Sequence, residues 1–141
     1  MILIIIHESY HVSICRYRPL FLHYFYNLLI TNISNNMNFK VTAFHHLVKS
    51  FGAQSVSYHS FLIPVIHFST DSTNPASVYL LEDGLELWNI TVQNSLQMSP
   101  DLLNLFSNIK PLLDRDTDIW KLCLEIIDSY VVLDCAQLFQ V

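Results

Sequence analysis

The sequence predicts an all-α fold, built as a row of antiparallel helical hairpins. Three observations predict it. From about Met37 onward apolar residues recur at helical spacing, the breaks between helical stretches are short, and 141 residues contain only two glycines. Loop-rich and β-rich folds need turns with positive φ, which glycine supplies most readily. Connections of a few residues place successive helices antiparallel.

The chain divides at about residue 36. Residues 1–36 form an aperiodic tract rich in Ile, Tyr, His and Asn, with room for one short helix in PLFLHYFYNLLI before the turn-forming NISNN. Residues 37–141 form the repeat segment. Phe39, Ala43, Leu47 and Val48 mark its first helix, and Gly52 is placed to stop it. Phe61, Leu62, Val65, Ile66 and Phe68 mark the second, with Pro64 inside as an expected kink. STDSTNP is a loop, and Asn74-Pro75 reads as an N-cap followed by proline at the first helical position. The helix predicted there runs from Pro75 to about Gln93. Ser99-Pro100-Asp101 opens the next with a hydroxyl cap, a proline and an acid near the positive helix end. It is predicted to run to about Leu113, with Pro111 in its last turn. After a polar connection, a fifth helix is expected from about Asp118 to Leu133, and Asp134 caps a sixth.

The long helices set the architecture. At about 100° per residue, Val78, Leu80, Leu81, Gly84, Leu85, Leu87, Trp88 and Val92 cover a continuous half of the predicted Pro75–Gln93 helix. A helix on a simple core needs an apolar stripe of only about 100°. A half-cylinder implies more than one neighbouring helix. Gly84, near the centre of that half, would admit a close approach, at about 1 kcal/mol in helix propensity relative to Ala. The helix near Trp120–Leu133 shows the same wide arc. Residues 58–93 and 100–133 therefore read as two units of an α-solenoid of HEAT-like hairpins, at the ~40-residue repeat length of that class.

Composition excludes several classes. A net charge of −5 does not suit a general nucleic-acid binder, which presents a basic stripe. Cys15, Cys123 and Cys135 are too sparse and odd in number for a disulfide framework, so a reducing compartment is expected, with Cys123 in the core. MILIII is too short to span a membrane, and His7 and Glu8 follow at once, so no membrane insertion is expected. It also lacks the positive start and small-residue cleavage site of a signal peptide. His45 and His46 are adjacent and point about 100° apart on a helix, and His59 and His67 have no Cys or acid at metal-ligand spacing. There is no G-x-S-x-G, and Gly52 and Gly84 are too far apart for a phosphate loop. Neither catalysis nor a cofactor is expected.

Four stretches carry a resemblance: FLIPVIHFSTD, VYLLEDGLELW, PDLLNLFSNIKPLL and IIDSYVVL. They resemble the importin-β (karyopherin-β) superfamily of HEAT-repeat nuclear transport receptors, and the resemblance covers roughly Val41 to Gln140. VYLLEDGLELW is the most specific, being a long ordered string. The resemblance implies protein cargo, control by the small GTPase Ran, contact with nuclear pore proteins, and residence in cytoplasm, nucleus and nuclear envelope. Superfamily members are long superhelices with their main Ran-binding region near the N-terminus, which nothing here matches. Residues 1–36 also depart from the expected repeat, as a gene-model error or a truncated, divergent copy would.

Glu82, Asp83 and Glu86, with Glu125 and Asp128 on the later helix, form the feature with functional content. They read either as a solvated helix face or, if their helices line the concave side of the solenoid, as a groove for basic protein cargo. Rival readings are a HEAT-repeat scaffold or assembly subunit with no transport role, a truncated non-functional copy, and a small helical enzyme or membrane-associated protein using the histidine-rich N-terminal tract.

Overall fold

The computed structural model of the protein describes residues 37–115 and 117–140. The short helix expected within residues 19–30 and Cys15 lie outside them. Among the described residues all regular structure is helical.

Helix α1 (Met37–Phe51) ends where Gly52 takes φ +54°, a left-handed conformation open to glycine without strain. A 3-10 segment, Gly52–Tyr58, leads into α2 (His59–Thr70), which continues through Pro64. The chain then turns at Asp71. Its Oδ1 accepts from the Thr73 hydroxyl at 2.7 Å and the Thr73 amide at 2.8 Å, and these two bonds hold the carboxyl below its usual pKa. Asn74 Oδ1 accepts from Ala76 N at 3.0 Å, the cap expected at this point.

What that cap opens is shorter than the sequence predicts. A 3-10 segment, Pro75–Tyr79, precedes α3 (Leu81–Gln93), so the single helix from Pro75 is not formed. A 3-10 turn advances three residues rather than 3.6, which rotates Val78 off the face predicted for it. Val78 is 55% exposed, whereas Leu80, Leu85, Leu87 and Trp88 are buried.

The next expected helix is also divided. Ser99 Oγ accepts from Leu102 N at 3.2 Å and opens α4 (Pro100–Phe106). The chain turns at Ser107–Asn108, and α5 (Ile109–Arg115) follows. In one continuous helix Pro111 would lose a backbone bond and press its ring on the carbonyl four residues earlier. The break moves Pro111 from the predicted last turn into the first turn of α5, where amide hydrogens have no intrahelical partner. Finally α6 (Trp120–Leu138) contains Asp134 in an extended conformation, φ −167° and ψ 90°. Asp134 Oδ1 accepts from Gln137 N at 3.1 Å, so the aspartate caps the last stretch as expected.

These elements stack as two layers. α3 packs on α2, on α1 and most extensively on α6, and α2 also touches α4. One layer thus runs α1, α3, α6, and the other α2, then α4 and α5. The ends of α2 and α3 meet crosswise: Gly84 near the start of α3 lies against Ser69 and Thr70 at the end of α2, while His59 at the start of α2 reaches Ser95 beyond the end of α3. They are therefore antiparallel. A Cβ at Gly84 would stand 2.3 Å from Ser69 Oγ, so the glycine is what lets the two helices approach. Ser69, Thr70 and Thr91, buried here, return their hydroxyls to the backbone carbonyls of Ile66 and Leu87, which makes their burial tolerable.

The wide apolar arc predicted for α6 is only half covered. Cys123, Ile126 and Tyr130 are buried against the row, but Trp120, Leu124 and Val131 are exposed. Within its layer α3 has a neighbour on each flank, α1 and α6, whereas α6 has α3 on one flank and also packs on α5 of the other layer, among the described residues.

Candidate binding face

The outer surface of the α1–α3–α6 layer carries the polar arcs. On α3, Glu82, Glu86, Asn89 and Gln93 follow one another at helical intervals, the two acids and Gln93 exposed and Asn89 half-buried. On α6, Glu125 and Ser129 are half-buried and Asp128 is exposed. The two helices are joined across this face. Ser129 Oγ lies 2.7 Å from Asn89 Oδ1 and 2.9 Å from the Glu125 carbonyl, and Gln93 Nε2 donates to the same Asn89 oxygen at 3.3 Å.

Between them lies an open cleft of about 580 Å³, lined by Asn89, Gln93, Leu96, Glu125, Asp128 and Val132 among others. Its lining combines the carboxylates of Glu125 and Asp128 and the amides of Asn89 and Gln93 with apolar side chains, of which Leu96 and Val132 are 75% and 87% exposed. Lys121 Nζ is 4.0 Å from Glu125 Oε1, an exposed pair one helical turn apart. Such pairs are worth little and exchange readily with an incoming cation.

The five acidic residues singled out in the sequence do not converge on one point. Glu125 and Asp128 line the cleft, and Glu82, Asp83 and Glu86 do not. Asp83 and Glu86 lie toward α1, where both act on His45. Burial pulls the His45 pKa down and outweighs the opposing pull of Glu86 and Asp83. Asn89, Gln93 and Ser129 complete the cleft and were not singled out in the sequence. Helical periodicity puts the first two on the polar arc, but the contact of Asn89 with Ser129 spans 40 residues and has no local signature.

His45 and His46 stack edge to face at 5.9 Å between ring centroids. Among the described residues no group of three or more His, Cys, Asp or Glu side chains is placed to hold a metal ion. No helix among them is long and apolar enough to cross a membrane.

Hairpins stacked so that a long helix is flanked on both sides define a helical-repeat protein. The chain belongs to the Importin-11-like family with TPR repeats, whose family model matches residues 41–141. It is 44% identical over 100 residues to Importin-11 of Mus musculus and of Homo sapiens, covering 71% of this chain and 10% of each relative. It is 33% identical over 92 residues to the importin beta-like protein KAP120 of Saccharomyces cerevisiae, covering 62% of this chain and 9% of that protein. The chain thus spans about a tenth of the length of the curated relatives it matches. No solved structure matches it. The family description names TPR repeats where the sequence suggested HEAT-like ones, and both are stacks of antiparallel helix pairs.

Proposed function

We propose that this segment is a cargo-binding portion of a nuclear transport receptor of the importin-β type. Kinship with importins supplies the class of activity. The observation that carries the local reading is the cleft between α3 and α6, where Glu125 and Asp128 stand beside the amides of Asn89 and Gln93. Carboxylates placed this way attract a basic segment of a protein, with a lysine or arginine side chain entering beside Glu125 and Asp128. Glu82, Asp83 and Glu86 extend the negative field along α3 and steer the approach rather than line the cleft. Control by Ran, passage through nuclear pores and shuttling between cytoplasm and nucleus belong in this reading to the full-length receptor.

The test is binding of a labelled lysine-rich peptide to the chain, read by fluorescence anisotropy. Charge reversal at the cleft (E125K with D128K) is expected to weaken binding more than reversal on the ridge (E82K with E86K). Both losses should be larger at low salt, where exposed charges are least screened. Unchanged affinity in E125K/D128K overturns the cleft as the site. A scaffold role without transport is separated by capture of GTP-loaded Ran on the full-length gene product, which a transport receptor retains and a scaffold does not.

A further inference from the structure

The outer flank of α6 has an internal order that packing within the row does not use. Trp120, Leu124 and Val131 are exposed there and Ile127 is half-buried. They follow one another at intervals of four, three and four residues, all before the break at Asp134. At about 100° per residue the four fall within about 60° of arc. The buried Cys123, Ile126 and Tyr130 occupy a different part of the circumference. A stripe this narrow, repeating every ~3.5 residues, is the pattern of a seam between two helices, whereas an arc packed on a globular core spans about 100° or more.

The spacing reads the same from either end. A second copy of α6 laid antiparallel, with a two-fold axis between residues 125 and 126, matches the stripe layer for layer. Trp120 meets Val131 of the second copy, the largest side chain against the smallest, and Leu124 meets its Ile127. The same alignment sets opposite charges together. Lys121 and Asp128, both exposed, border the stripe on one edge. In an antiparallel pair like edges face each other, so Lys121 stands opposite Asp128 of the second copy, and the axis repeats the contact. Within its own chain Lys121 makes the exposed 4.0 Å approach to Glu125, which it can give up at little cost. A parallel pair would turn this edge toward Cys123 and Tyr130, which are buried in their own chain and offer no charge.

We propose that the outer flank of α6 is a self-association surface, on which two copies of this chain pair antiparallel as a closed two-fold dimer. A seam of four layers is small for a specific interface, so the pairing is weak, with a Kd of about 0.1 mM. At about 1 µM the chain is therefore single and the flank bare. Trp120, Lys121, Leu124, Ile127 and Val131 do not line the α3–α6 cleft, so loss of the pairing leaves the cargo reading standing.

Sedimentation equilibrium of the full 141-residue chain, from about 5 µM to about 1 mM, tests this. The weight-average mass is expected to rise from 16.4 kDa toward that of two chains and to stop there. L124E buries a charge in the seam of each copy and should hold the mass at one chain. K121D turns two attractions into repulsions and should raise the dissociation constant about tenfold. K121D/D128K restores both pairs with the signs exchanged and should recover most of that loss. These positions are exposed, and far-ultraviolet circular dichroism checks that the helices are kept; if L124E loses them, the uncharged L124Q takes its place and should weaken the pairing. A chain still single at about 1 mM overturns the pairing, as does a mass that climbs past two chains. Association unchanged by the substitution at Leu124, or no better in K121D/D128K than in K121D, overturns it equally.

Discussion

Trp88 and Tyr130 show how much rests on single side chains. Both are fully buried, and their polar atoms are joined in series. Trp88 Nε1 donates to Tyr130 Oη at 3.0 Å, and Tyr130 Oη donates to the Leu102 carbonyl at 2.7 Å. The indole and phenol rings meet at right angles, 6.3 Å apart, and Phe106 closes on Tyr130 at 4.8 Å. One hydroxyl thus links α3, α4 and α6, and burial drives its pKa far above the normal tyrosine value. Tyr130→Phe keeps the rings packed and removes the hydroxyl, leaving the Trp88 N–H buried without its partner. A destabilisation of about 1–3 kcal/mol is expected in urea unfolding. In a cycle with Trp88→Phe the double variant should lose less than the sum of the singles, since the two share one bond. Additive losses would mean that the rings matter and the hydrogen bond does not. The apolar arcs identify both residues as core, but their pairing spans 42 residues and cannot be read from either helix alone.

At the scale of elements, the close approach of α2 and α3 was legible in the sequence, because Gly84 sits at the centre of an otherwise large-residue face. The structure supplies what it approaches. A methyl at Gly84 would lie 2.3 Å from Ser69 Oγ and 2.7 Å from Ser69 Cβ. Gly84→Ala therefore gains about 1 kcal/mol in helix propensity and sets against it an overpacking penalty of about 1–3 kcal/mol. The Ser69 Cβ contact decides between them, since a Cβ is fixed by its backbone and cannot swing aside as a hydroxyl can. Net destabilisation is expected, measured as a lower urea midpoint. Adding Ser69→Gly removes both colliding atoms and should recover part of the loss. A stabilised Gly84→Ala would show that the helices separate at little cost. The helix breaks were less legible, for a physical reason. Pro111 is compatible with the last turn of one helix or the first turn of the next, and local preference does not choose. Leu102, Leu105, Ile109 and Leu112 are all buried, at a spacing that one continuous helix would also place on one face, so the apolar pattern carries no mark of the turn at Ser107–Asn108. Val78 failed similarly, because a face computed at 100° per residue assumes an α-helix that starts only at Leu81.

For the molecule as a whole, the repeating row explains why one long helix buries a half-cylinder and the next does not. α3 lies between α1 and α6, and its apolar residues divide among three neighbours. α6 has the same wide pattern, but Trp120, Leu124 and Val131 form a flank turned away from α3 and remain exposed. An apolar pattern records which surfaces favour burial, and it cannot record whether a neighbour is present in the same chain. That is why the pattern of α6 was legible and its coverage was not. The two flanks of α6 should therefore respond oppositely to substitution. Ile126, fully buried, touches the row, and Ile126→Ala is expected to cost about 2–5 kcal/mol through lost transfer energy and the cavity left behind. Leu124→Glu introduces a charge two residues away on the same helix, yet at a side chain already 55% exposed it should change stability by no more than about 0.5 kcal/mol. Both are read by urea unfolding of the full chain, followed by far-ultraviolet circular dichroism. A large loss in Leu124→Glu would mean that the outer flank is covered in solution, and the half-filled arc of α6 would then have to be redrawn with a neighbour on both sides.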